Sequence, residues 1–125
     1  MALKHEELSG AVLKAAIEVH RQLGPGLLES TYEQCLAYEL TLAKIPFKKE
    51  MGLPVEYKGI KLDCGYRIDF LVDERLIVEL KSVDQVDRIH QAQLLTYMKL
   101  AKVSVGLLIN FNVEVLKQGI KRLVL

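Results

Sequence analysis

Three charged residues stand inside an otherwise apolar stretch, Tyr66 to Val83, which reads YRIDFLVDERLIVELKSV: Asp69, Glu79 and Lys81. The pattern predicts two strands meeting at the polar turn Asp73-Glu74-Arg75. Ionised groups are rare in strand interiors unless they are paired, solvated or bound to a metal. Side chains alternate along a strand, so Glu79 and Lys81 share one face and Val78 and Leu80 the other. The face of Asp69 depends on the loop. A two-residue turn pairs Asp69 with Val78 and puts it on the wrong side. A three-residue loop pairs Val72 with Leu76, and therefore Asp69 with Glu79. Directly opposed residues lie roughly 4.5–5.5 Å apart at Cβ and point the same way. Two carboxylates that close repel, and burial raises the cost. A divalent cation between them removes it. The competing reading of the same spacing is a buried ion-pair network of Asp69, Glu79 and Lys81.

The remaining segments must position this hairpin. A first helix is predicted from His5 to Leu23, with Leu8, Ala11, Val12, Ala15, Ala16, Val19 and Leu23 in one stripe and His20 at its margin. Gly24-Pro25-Gly26 ends it. A second helix is predicted from Leu28 to Lys44, with Glu29, Tyr32, Leu36, Leu40 and Ala43 on one face. Glu29 near the helix start also suits the helix dipole, which is reason enough for an acid there. Phe47 to Tyr57 is expected to be extended, with Pro54 marking an edge or bulge, and Ile60 to Asp63 to form a short strand after the turn at Lys58-Gly59. Ser82 or Asp84 can cap a third helix from Gln85 to Lys102. Gln93 is the polar residue in the middle of one of its faces, among Val86, Ile89, Thr96, Tyr97 and Leu100. Val103 to Asn110 reads as a fully buried strand, which makes strand–helix–strand from Glu79 to Asn110 a right-handed parallel crossover. Ile120 to Leu125 closes the chain as a strand. The fold class is α/β, a mixed sheet flanked by helices in the order α-α-β-β-β-α-β-β.

Composition sets outer bounds. The 125 residues are half hydrophobic, about one domain's worth with a sizeable core, and residues 1–125 are read as a single domain. A net charge of +1 gives no global signature of nucleic-acid binding, so phosphate contacts would fall to local clusters. Lys44, Lys48, Lys49, Lys58 and Lys61 can line such a path or simply form a solvated surface. Cys35 and Cys64 lack the short spacing of a zinc or redox pair and read as reduced core thiols, which suits a cytoplasmic location. No apolar leader or membrane span is visible.

At this point the sequence resembles a family. Gly26-Leu-Leu-Glu29-Ser-Thr-Tyr32 is similar to the signature of the GxxExxY proteins. Asp69 with Glu79-Leu80-Lys81 resembles the core motif of the PD-(D/E)XK nuclease superfamily, in which that family is placed, and Gln93-Leu-Leu-Thr-Tyr97 is similar to the QxxxY motif of its RecB-like branch. The resemblance runs from Val19 to the end of the chain. Each motif is short, and their order and spacing make them specific together. Ile68 stands where many members have proline.

The resemblance implies a restriction-endonuclease-like fold and a metal-dependent nuclease acting on phosphodiesters, with DNA ahead of RNA as partner. It implies that Asp69 and Glu79 hold Mg²⁺ or Mn²⁺ with the backbone carbonyl of Leu80, and oxygen-only ligands suit these hard cations. Lys81 would orient the attacking water or neutralise the phosphate, Glu29 would be an auxiliary acid, and Gln93 and Tyr97 would position the phosphate or brace Lys81. His20 would be a further ligand, against the plainer reading of a capping or core histidine. Tyr32 and Tyr97 also read as core aromatics with polar tips. A chain of this length has little beyond the fold core to grip a long duplex, so a homodimer or a partner protein is expected to help. The alternative is a non-catalytic nucleic-acid-binding or assembly module that keeps the fold. A hydrolase of small phosphate esters is a third reading, for which no Gly-rich phosphate loop speaks.

Overall fold

A computed structural model describes residues 5–125. The elements are helices α1 (Glu6–Leu23) and α2 (Glu29–Leu42), strands β1 (Phe47–Gly52), β2 (Val55–Tyr57), β3 (Ile60–Leu62), β4 (Arg67–Val72) and β5 (Leu76–Lys81), helix α3 (Arg88–Ala101), strand β6 (Val105–Asn110), a 3-10 turn (Leu116–Gly119) and strand β7 (Ile120–Val124). Five strands form one mixed sheet in the order β1-β4-β5-β6-β7. Only β5 and β6 run parallel, joined through α3 as the crossover pattern predicts. The fold is that of an α/β protein with a mixed sheet between helices, consistent with the restriction-endonuclease-like class. Among the described residues, no helix is long and apolar enough to cross a membrane.

The sheet is packed on both faces. On one, Val12, Val19, Tyr32, Leu36 and Leu40 of α1 and α2 meet Phe70, Val78, Leu80, Leu107 and Ile109. On the other, Leu94, Tyr97 and Met98 of α3 meet Leu71, Ile77 and Leu108. Strand β6 is buried along its whole length, which is why its sequence lacks polar alternation. Gly106 lets α3 come close: a Cβ there would sit 2.7 Å from Met98 Sδ and 3.1 Å from Leu94 Cδ1.

The turn before α2 is held from within. Gly24 and Gly26 take left-handed φ angles of 68° and 95°. The Tyr32 hydroxyl donates to the Gly24 carbonyl at 2.6 Å and accepts from the Leu27 N–H at 3.1 Å. Its ring stacks on Phe111, with centroids 4.4 Å apart and planes 9° from parallel. Ser82 Oγ, just past β5, donates to the Leu27 carbonyl at 2.6 Å. The start of α2 is thus tied both to the core and to the end of the central hairpin.

Two expected elements differ. The extended segment Phe47–Tyr57 is divided at Leu53-Pro54: β1 joins the main sheet, whereas β2 pairs with β3 in a separate two-stranded ribbon. Proline cannot donate to a ladder, so the pairing of β1 with β4 stops there. Helix α3 begins at Arg88, capped by Asp87 in a capping box with His90, instead of by Ser82 or Asp84. The earlier caps are engaged elsewhere. Ser82 bonds Leu27, Asp84 Oδ1 accepts from Asn112 Nδ2 at 3.2 Å, and between them the Asn110 side chain clasps Val83, accepting from its N–H at 3.1 Å and donating to its carbonyl at 2.9 Å. Cys35 and Cys64 are both free, but only Cys35 packs against the core; Cys64 is exposed, because it follows the exposed ribbon strand β3.

Candidate metal centre

The hairpin loop has the length that aligns the acids. Val72 pairs with Leu76, and the Arg75 N–H closes onto the Val72 carbonyl at 3.0 Å. Asp73 and Glu74 both adopt left-handed φ, and Asp73 pairs with Arg75. The β4–β5 ladder then runs only as far as Phe70 opposite Val78. Beyond it the strands are joined by side chains. The Leu80 N–H donates to Asp69 Oδ2 at 2.8 Å, and the Asp69 N–H donates to Glu79 Oε1 at 3.3 Å. Each acid therefore takes a backbone donor of the hairpin where the ladder has ended.

The break also disturbs alternation in β4. Ile68 and Leu71, three residues apart, both pack on the α3 side, while Phe70 packs on the other. Asp69 lies at the change of face. Across from it on β1 stands Glu50, between the pairs Lys49–Phe70 and Met51–Ile68. Glu50 has a φ of 54°, an uncommon left-handed angle for a strand residue other than glycine. From α2, Glu33 reaches the same place. One carboxylate oxygen each of Glu33, Glu50 and Asp69 lies within 4.8 Å of the others.

Without a counter-charge the acids perturb one another. Burial pushes the Glu79 carboxyl up to about 9, helped by the charge of Asp69 and a hydrogen bond to it, while Lys81 pulls weakly the other way. Glu33 is pushed up to about 7, again by burial first and then by its hydrogen bond to Glu50 and the charges of Glu50 and Asp69. Glu79 is buried, and Lys81 is half-buried and forms no salt bridge among the described residues. Tyr97 completes the surroundings from α3. Its hydroxyl accepts from Gln93 Nε2 at 3.0 Å, and its pKa is raised by burial and by the charge of Glu79, with a smaller effect of Asp69.

The expected site residues thus fall into two sets. Asp69, Glu79, Lys81 and Tyr97 lie near one locus, and Gln93 adjoins it through its bond to Tyr97. Glu29 is exposed at the first position of α2, and it is Glu33, one turn later, that joins the carboxylates. His20 is buried with Nε2 2.7 Å from the Val113 carbonyl, and among the described residues it belongs to no group of three or more metal-ligating side chains. A contact that short with a carbonyl requires the proton on Nε2. Neither Glu33 nor Glu50 belongs to a sequence motif that marks it. Glu33 carried a weak signal, standing four residues after Glu29 on the same face. Glu50 carried none, because its place depends on a left-handed angle in an exposed strand. The five lysines considered for a nucleic-acid path are all exposed, and Lys48 pairs with Glu74 at 2.8 Å.

The donor set is all oxygen and strongly acidic, which fits a hard divalent cation and not a thiolate- or imidazole-preferring metal. Comparison with curated proteins and with solved structures returned no match. A family model described as PD-(D/E)XK nuclease superfamily matches residues 6–123, almost the whole chain. With its mixed sheet and acids gathered on the central hairpin, the chain belongs to the PD-(D/E)XK nuclease superfamily.

Proposed function

We propose that this protein is a divalent-metal-dependent nuclease that hydrolyses phosphodiester bonds, of the GxxExxY type and akin to the RecB-like branch. One observation carries the reading. Four carboxylates from α2, β1, β4 and β5 converge where the central hairpin opens, in a member of a nuclease superfamily. Such a group is electrostatically unfavourable alone, and two of its members are driven toward the protonated state. A cation is the counter-charge that relieves this.

Asp69 and Glu79, with the Leu80 carbonyl, would hold Mg²⁺ or Mn²⁺, and Glu33 and Glu50 would complete the acidic shell. When bound, the ion acidifies water and offsets charge on the phosphoryl oxygens. The chain's own residues supply the rest. Lys81, beside Glu79, brings a fixed positive charge to the phosphate as negative charge develops on it. Tyr97 and Gln93 offer a hydroxyl and an amide on the α3 side, with which to orient a phosphate. Tyr32 and Ser82 act at a distance, by fixing the start of the helix that carries Glu33.

The test is cleavage of single- and double-stranded DNA and RNA with Mg²⁺ or Mn²⁺. Activity should vanish in Asp69→Asn and Lys81→Ala while circular dichroism and melting stay those of a folded protein. No cleavage of any of these substrates with either ion, together with no heat of ion binding, overturns the reading. Salt-sensitive nucleic-acid binding without cleavage would then favour a non-catalytic module.

A further inference from the structure

A cleft of about 500 Å³ lies along α3, opposite the segment that enters β4. Tyr66, Ile89, Thr96 and Leu100 line it, together with Gln93 and Tyr97. Tyr97 also lies close enough to Glu79 and Asp69 to feel their charges, and Gln93 is bonded to it, so this wall of the cleft borders the candidate metal centre. A cleft of this size accommodates one small planar group with its attached sugar.

Apolar side chains of its lining reach the surface. Tyr66 is 43% exposed and Ile89 69% exposed. The Tyr66 ring is tilted by 58° to that of Tyr97, with centroids 6.0 Å apart, so the two rings do not stack on each other. Polar atoms stand among the apolar ones. Gln93 gives its amide nitrogen to Tyr97, which leaves its amide oxygen as an acceptor, and Thr96 adds a hydroxyl. Flat apolar walls with a few hydrogen-bonding groups suit an aromatic heterocycle with polar edges.

Resting on the nuclease reading above, we infer that this cleft seats one unpaired nucleobase flanking the phosphate held at the carboxylates, so that the substrate is single-stranded nucleic acid or an unpaired end. A phosphodiester placed at the acids brings its neighbouring base with it, and the cleft is the adjoining space. In a duplex that base is stacked and paired, and extracting it costs a few kcal/mol. A net charge of +1 offers little global attraction for a polyanion, so stacking in the cleft would carry much of the grip.

The experiment is fluorescence anisotropy with a labelled oligonucleotide as single-stranded DNA, as single-stranded RNA, as a blunt DNA duplex and as an abasic strand, in Ca²⁺ and in EDTA, beside Mg²⁺-dependent cleavage of the same set. The single strands should bind more tightly than the duplex and the abasic strand. Tyr66→Ala should weaken single-strand binding at least about fivefold, as loss of one base stack implies. Tyr66→Phe, which keeps the ring, should bind like the parent, and Ile89→Ser, at the more exposed wall, should weaken binding in the same direction. The ratio of DNA to RNA affinity identifies which polymer the cleft prefers. Cleavage that treats duplex and single strand alike and is indifferent to Tyr66→Ala overturns the base site and leaves the nuclease standing. Single-strand binding that depends on Tyr66 without any cleavage supports the base site and overturns only the nuclease.

Discussion

Asp69 Oδ2 accepts the Leu80 N–H at 2.8 Å, one position past the point where the hairpin's ladder stops. The carboxylate therefore has two duties, holding β5 and presenting an oxygen to Glu33 and Glu50. Asp69→Asn keeps an oxygen for the Leu80 bond and removes the charge. It should stay folded, lose the heat of Mn²⁺ binding, and lose cleavage down to background. Asp69→Ala, which strands a backbone N–H, should in addition cost about 1–3 kcal/mol of stability by chemical unfolding.

The raised carboxyls make apo stability depend on pH. Burial and the neighbouring acids push Glu79 up to about 9 and Glu33 up to about 7 in the fold, from an ordinary value of 4.5 for both. Between 4.5 and those values the native state holds more protons than the unfolded chain, so stability falls as pH rises. Melting temperature without metal should decline from pH 5 toward pH 9. Glu79→Gln should flatten that decline. A divalent ion should raise the melting point most at the alkaline end, where both acids are ionised.

Glu33 and Glu29 are separated by one helical turn and should behave differently. Glu33→Gln should weaken Mn²⁺ binding in calorimetry. Glu29→Gln, at an exposed position, should leave it within about twofold and stability within about 0.5 kcal/mol, as for an ordinary surface change.

Tyr32→Phe separates architecture from chemistry. It deletes the hydroxyl that bridges Gly24 and Leu27 while keeping the stack on Phe111. A cost of about 0.5–1.5 kcal/mol in stability is expected from the lost hydrogen bonds, because Gly24 and Leu27 can turn to water. Metal affinity should fall as well, because the turn that aims Glu33 loosens. Both are read from denaturant titration and calorimetry on one preparation.

The sequence was informative where the physics is local or periodic. The three helices, the buried β6 and the parallel crossover follow from spacing. The three-residue loop needed for Asp69 to meet Glu79 is the one that forms, with Val72 opposite Leu76. What could not be read was the opening of the hairpin. Side-chain acceptors replacing ladder bonds at Asp69 and Glu79 leave no periodic trace. The split at Leu53-Pro54 was half visible in the proline, but pairing of β2 with β3 apart from the sheet was not. The start of α3 was misplaced because Ser82 is drawn to Leu27, a contact 55 residues away in sequence.

Strand β1 forms one border of the sheet. A flat border invites another chain to add a strand and so to aggregate. Here Lys48 and Lys49 are exposed, and the left-handed turn of the backbone at Glu50 bends the border. The distortion that delivers a carboxylate to the centre thus also spoils the template for edge-to-edge growth. One residue, Glu50, bears on both the edge of the sheet and the acidic cluster.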